Sequence, residues 1–169
     1  GGSVDLSPVD DVLVQVERAL DLDSPKQLVA SVLSKKIAAG STDILIDIPI
    51  GPTAKVRSEK AAHLLSTLFL NVGKAFDLNI HIALTDGRQP VGRGIGPVLE
   101  ARDILSVLRR EKEASQDLRE RGLFLAAKVM EYCCGHSSED AMFEAQQILD
   151  DGRALRKFEA ICKAQGGMR

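Results

Sequence analysis

The sequence predicts an α/β fold, with a small, mostly parallel sheet flanked by helices and a helical C-terminal third. Three observations predict it. Asp43 to Ile50 and Asn79 to Thr85 are short, rich in β-branched residues and almost continuously apolar, as buried parallel strands are. Between them, Ser58 to Phe76 carries apolar residues at helical spacing, and a helix-length crossover implies that the two strands run parallel. From Lys112 onward only helical periodicity is present. An α/β portion over residues 1–110 and a helical portion over residues 111–169 follow from this change of character.

Each element has its own justification. Val12 to Val16 (Val-Leu-Val-Gln-Val) alternates apolar and polar residues, which reads as a half-buried strand or an irregular extended segment. Ser24 is a candidate cap, Pro25 suits the first helical position, and Gln27 completes a capping-box spacing, so a helix runs from there to about Ala39 and stops at Gly40. Pro49 marks the end of the first strand and Gly51-Pro52-Thr53 is a loop. The second strand leads into the loop Asp86 to Gly96, and Pro97 opens a helix reaching about Arg110. Three helices complete the chain, at about Ser115–Cys133, Ser138–Asp150 and Arg153–Ala164, punctuated by Gly135 and Gly152, with Ser137 as a cap. Two strands make a thin sheet for so many helices, and an open sheet edge is a liability. The expectation is a fragment of a larger α/β domain, with neighbouring strands in sequence outside these 169 residues. The first residue is Gly, which fits either a tag remnant or a start partway through a larger protein.

Composition excludes several classes of function. A net charge of −2 gives no electrostatic reason for nucleic-acid or membrane binding. With 4% aromatic residues and no Trp, an aromatic base-stacking surface is not expected. No apolar run approaches the ~20 residues that cross a bilayer, and no signal peptide is present, so a cytoplasmic location is expected. Cys133, Cys134 and Cys162 form neither a disulfide framework nor a zinc spacing and read as reduced thiols on helices. His63, His81 and His136 share no metal-ligand spacing, so no metal site is expected.

Three stretches are candidates for chemistry. Ser31 and Lys35 are four apart and stack on the edge of the apolar stripe formed by Leu28, Val29, Val32, Leu33 and Ile37. A hydroxyl beside an ammonium suits recognition of a polar planar ligand or an oxyanion; a solvated helix flank is the plainer alternative. The loop Thr85-Asp86-Gly87-Arg88-Gln89-Pro90-Val91-Gly92-Arg93-Gly94-Ile95-Gly96-Pro97 follows a strand, where ligands bind in open α/β sheets. Pro97 stands where a dinucleotide fingerprint needs its third glycine, so that match fails, and a structural loop is the other reading. Lys55 and Arg57, after Gly51, suit an anion or a solvated charged turn.

Taken in order, these segments resemble the thymidine phosphorylase and pyrimidine-nucleoside phosphorylase family, including its nucleotide (AMP-type) branch. Asp5-Leu6-Ser7-Pro8-Val9-Asp10 resembles the family's Asp-Leu-Ala-Pro-Ala-Asp segment, and Ala30-Ser31-Val32-Leu33-Ser34-Lys35-Lys36 its Ala-Ser-Ile-Leu-Ala-Lys-Lys helix. Asp47 to Lys55 resembles the strand and glycine loop that follow. Thr85-Asp86-Gly87-Arg88-Gln89-Pro90-Val91-Gly92, with Gly96 and Glu100-Ala101-Arg102, resembles Thr-Asp-Met-Asn-Gln-Pro-Leu-Gly and its helix, and Ala164-Gln165-Gly166-Gly167 the segment that closes the central domain.

The resemblance implies a pentosyltransferase acting by phosphorolysis, in which a pyrimidine nucleoside and phosphate give free base and a (deoxy)ribose 1-phosphate. It implies no metal or organic cofactor, phosphate being a co-substrate, and a homodimeric parent protein. Ser31 and Lys35 would bind the base, with Lys35 as the catalytic cation. Asp86, Gln89, Pro90, Gly92 and Gly96 would be a structural loop. The pyrimidine enzymes carry a base-reading Arg where Glu17 or Val16 stands here, and Arg18, offset from that place, joins the substrate-binding candidates. Val16 to Asp23 is closer to the nucleotide branch, which makes a nucleoside 5′-monophosphate the alternative substrate. A non-catalytic binding or assembly module is a further alternative. The family's N-terminal helical domain, phosphate-binding loop and C-terminal α+β domain have no counterpart in this chain, so the isolated chain is expected to be inactive.

Overall fold

The computed structural model describes residues 7–20 and 24–167, apart from the side chain of Arg18. Asp5 and Leu6, the stretch Asp21 to Asp23 and the Arg18 side chain, singled out above, lie outside the described residues. The chain divides into two compact units, Gly1–Arg88 and Gln89–Arg169.

In the first unit the described elements are α1 (Pro8–Leu20), α2 (Pro25–Ala38), β1 (Asp43–Ile50), α3 (Glu59–Ala75) and β2 (Asn79–Asp86). The strands pair in parallel, from Asp43 opposite Asn79 to Ile50 opposite Asp86, as the long crossover implied. Ile44, Ile46 and Ile48 of β1 pack with Ile80 of β2 against Val29 and Leu33 of α2 and Ala62, Leu65 and Phe69 of α3. The α3 residues recur at three- and four-residue steps, so one face of the helix is apolar. Phe69 is almost fully buried at 1% exposure, and its burial contributes about 2–3 kcal/mol. Ser58 caps α3 by accepting a hydrogen bond from the Ala61 amide. Ser24 stands at the cap position of α2, but its side chain makes no capping bond, so the expected capping box does not close. Pro49 is the next-to-last residue of β1, opposite Thr85, and the strand ends where expected. Among the described residues β1 has one strand neighbour, and an edge strand tolerates a proline.

Val12 to Val16 is a correction: it lies within helix α1, not in a strand. The alternation of Val12, Val14 and Val16 is real but short. Extending the window to Val9 and Leu20 gives a 9, 12, 13, 16, 20 pattern, the three–four spacing of a helical face. Asp10 and Asp11 in its first turn complement the helix dipole. All five of those apolar residues are exposed, while Asp10, roughly 100° round the helix from Val9, is buried.

The second unit is helical: α4 (Pro97–Leu108), α5 (Gln116–Cys134), α6 (Ser138–Asp150) and α7 (Arg153–Ala164). Ala127 on α5 and Ala141 and Ala145 on α6 are buried, and their small side chains let these two helices pack closely. Gly135 ends α5 in the left-handed conformation (φ 72°), and Ser137 then caps α6 by accepting from the Asp140 amide. No described helix is long and apolar enough to cross a membrane.

Candidate functional site

In the first unit, Ser31 and Lys35 project from adjacent turns of α2 and meet Asp10 of α1. The Ser31 hydroxyl donates to Asp10 Oδ2 at 3.1 Å. Lys35 Nζ donates to the same carboxylate oxygen, to Ser31 Oγ at 3.1 Å and to the Ser31 carbonyl at 3.2 Å. The Asp10 side chain is 7% exposed and that of Lys35 29%, so the anion is enclosed while the cation keeps a face to the outside. Burial alone pushes the Asp10 carboxyl up. Hydrogen bonds from Lys35 and Ser31 and the charge of Lys35 together outweigh it and hold the carboxyl below its usual value. The result is an ionised carboxylate, a hydroxyl and an ammonium held as one cluster.

Spacing on one helix revealed Ser31 and Lys35, but it did not reveal Asp10. Asp10 lies 21 and 25 residues upstream and joins them only where the fold brings its side chain to α2. Its one trace in the sequence is its place in the Ser7-Pro8-Val9-Asp10 segment.

An apolar cavity of about 340 Å³ opens between α2, α3 and β1, walled by Leu28, Val32, Ile48, Leu65 and Phe69. Asp47 and Lys55 also line it, and each is engaged in an interaction of its own. Asp47 Oδ1 accepts from the Thr85 hydroxyl at 2.6 Å, tying the two strands together near their carboxyl ends. Ser31 and Lys35 do not line this cavity.

The loop after β2 bonds its polar groups to nearby carboxylates. The Asp86 carboxylate accepts from the Arg88 amide and guanidinium. In the second unit, the amides of Arg93 and Gly94 both donate to Asp103 Oδ2 at 2.6 Å. The Gly92 amide donates to Asp117 Oδ2 and the Gly96 amide to Glu100 Oε1. Gly92 (φ 85°) and Gly96 (φ 99°) hold backbone angles that favour glycine. Gln89 and Pro90 are exposed. With these amides already bonded to carboxylates, the glycine-rich run is built as a fastening.

That fastening is expected to be acid-sensitive. The amides of Gly94 and Arg93 hold the Asp103 carboxyl below its usual value of 3.8, and Ser115 and the Gly92 amide do the same for Asp117. A carboxyl whose folded value is depressed stabilises the fold fully above its unfolded value, and that contribution is lost as the pH falls through the folded one. The thermal midpoint of the second unit is therefore expected to drop as the pH falls below about 4. Asp103→Asn is expected to lower the midpoint at pH 7 and to flatten this acid slope; an unchanged slope would show that the loop is held by other contacts.

Among the described residues, no group of three or more His, Cys, Asp or Glu side chains is placed to hold a metal ion. Cys133 and Cys134 are exposed cysteines at the end of α5, and Cys162 is a half-buried one on α7.

Fold and cluster together define an α/β protein with a helical C-terminal part and a carboxylate-anchored serine–lysine pair on one helix. No family model matches the chain. Its whole length is 58% identical to a protein of Acidovorax sp. (strain JS42) named "Putative thymidine phosphorylase 1", of which it covers 33%. It is 57% identical to a protein of Legionella pneumophila (strain Corby) named "Putative thymidine phosphorylase", again covering 33%, and 57% identical to one so named in Hahella chejuensis, covering 34%. The chain spans about a third of the length of these curated relatives. Over its whole length the chain is thus similar to a segment of proteins named for thymidine phosphorylase.

Proposed function

We propose that this chain carries the base-binding part of a nucleoside phosphorylase. Ser31 and Lys35 hold the base, and Lys35 stabilises it as it leaves. The reaction joins a phosphate oxygen to the sugar C1′ and breaks the C1′–N bond. The electron pair of that bond passes into the base and spreads onto a ring carbonyl. An ammonium held against that carbonyl stabilises the departing charge, and enclosure strengthens the effect relative to water.

One observation carries this reading: Lys35 is anchored on its inner side by Asp10 and Ser31 yet keeps a face to the outside. A cation held in this way is preorganised and needs no reorientation as charge develops. The relatives named for thymidine phosphorylase support a pyrimidine nucleoside as substrate. On this reading phosphate is a co-substrate, no organic cofactor or metal takes part, and the protein works in the cytoplasm as a homodimer. Phosphate is bound by parts of the full-length protein outside these 169 residues, so the segment alone turns over nothing.

The test is an assay of the full-length protein with thymidine and uridine, with and without phosphate. Base release that requires phosphate and yields a pentose 1-phosphate supports the reading, and release without phosphate or no release overturns it. The likeness of Val16 to Asp23 to the nucleotide branch favours a second reading, a 5′-monophosphate substrate. Turnover of AMP or CMP well above that of thymidine in the same assay would favour it.

A further inference from the structure

Asp10 does more to the Ser31–Lys35 pair than neutralise it. An ionised carboxylate only accepts hydrogen bonds and an ammonium only donates them. A hydroxyl placed between the two therefore has one satisfactory orientation. Ser31 donates its single proton to Asp10 Oδ2 at 3.1 Å and accepts from Lys35 Nζ at 3.1 Å. What its oxygen has left for a ligand is a lone pair. Resting on the reading of Ser31 and Lys35 as the base-binding pair, we infer that Asp10 is a positioning residue: it fixes Ser31 as an acceptor beside the Lys35 donor, so that the pair selects bases presenting a carbonyl next to a ring N–H.

Uracil and thymine present that edge, since N3–H lies between two carbonyls. Whichever carbonyl meets Lys35, Ser31 faces N3–H. In cytosine the ring is of the same size, but N3 carries a lone pair and position 4 an amino donor. With the ring held in place by its sugar, Ser31 then faces lone pair against lone pair, or Lys35 faces an amino group. Cytosine could match a donor–acceptor pair only by shifting one atom along its edge, out of line with the sugar. A site built to pair a polar group rejects a ligand that leaves the group unpaired.

The experiment compares kcat/KM for uridine and cytidine in the full-length protein. The wild type is expected to prefer uridine by about 100-fold. Asp10→Ala removes the acceptor, frees the Ser31 hydroxyl to turn outward, and is expected to lower that preference by about tenfold or more. Asp10→Asn retains an oxygen acceptor in place and is expected to keep most of the preference. A residue that only supported the fold would move both substrates together and leave the ratio unchanged. Equal use of cytidine by the wild type, or an unchanged ratio in Asp10→Ala, overturns the inference while leaving phosphorolysis standing. Absence of phosphate-dependent release from either substrate overturns phosphorolysis and this inference with it. Should Asp10→Ala fail to fold, Ser31→Ala decides: loss of an acceptor lowers the uridine preference, whereas a raised or unchanged preference overturns the assignment.

Discussion

Replacing Lys35 with alanine in the full-length protein is expected to lower kcat/KM for phosphorolysis by about 10²–10³. The loss should fall mainly on kcat, because the charge that Lys35 meets develops only as the glycosidic bond breaks. The substitution also strands Asp10. Its carboxyl stays enclosed but loses its cation, and burial, the one influence that pushes it up, is then opposed by the Ser31 hydroxyl alone. Some loss of stability is expected with the loss of rate, so the thermal midpoint must be measured on the same sample. A folded variant retaining activity within about threefold of the wild type would make Lys35 a helix-flank cation that fastens α1 to α2 and nothing more.

Gly51→Ala is expected to be the most damaging small substitution in the first unit, costing about 3 kcal/mol or more. A Cβ at that position would stand 2.1 Å from the Gly87 carbonyl oxygen and 2.3 Å from its carbon. These are backbone atoms with no rotamer by which to escape. The crossing is pinned on both sides, by the Gly87 amide donating to Ile50 O and the Gly51 amide donating to Val56 O. Gly40→Ala is the comparison. Gly40 has a left-handed φ of 70°, but no atom lies within 4 Å of its added Cβ, so only the conformational cost of about 1–2 kcal/mol applies. Urea unfolding of the two variants separates the effects, and equal losses would mean that the crossing relaxes to admit a side chain.

The parts of the fold that were legible in the sequence are those whose signals are local and agree with one another. The two strands, α3, and α6 with Gly135 and Ser137 ahead of it carry apolar pattern and stop signals that point the same way. The first helix was misread because Val12-Leu13-Val14-Gln15-Val16 satisfies a two-residue period over five positions, and its β-branched residues favour a strand. Only the longer stretch from Val9 to Leu20 shows the helical face. The Ser31–Lys35 pair was legible because it lies within one helix. Asp10 was not, since a partner brought in by tertiary packing leaves no periodic signal. The loop's bonding to carboxylates was equally hidden: glycine spacing shows that the backbone is free to approach something, not that Asp103 and Asp117 are what it approaches.

That loop carries its own ligand. The neighbouring amides of Arg93 and Gly94 converge on one oxygen of Asp103, much as backbone nests converge on an anion from solution. The seat is thus self-occupied, and a free anion would have to displace a tethered one whose effective concentration is very high. For anyone screening sequences for phosphate-binding loops, glycine spacing alone will score this stretch as a receptor. Whether an acidic side chain nine or ten residues downstream folds back into the seat, as Asp103 does, is what separates a receptor from a clasp.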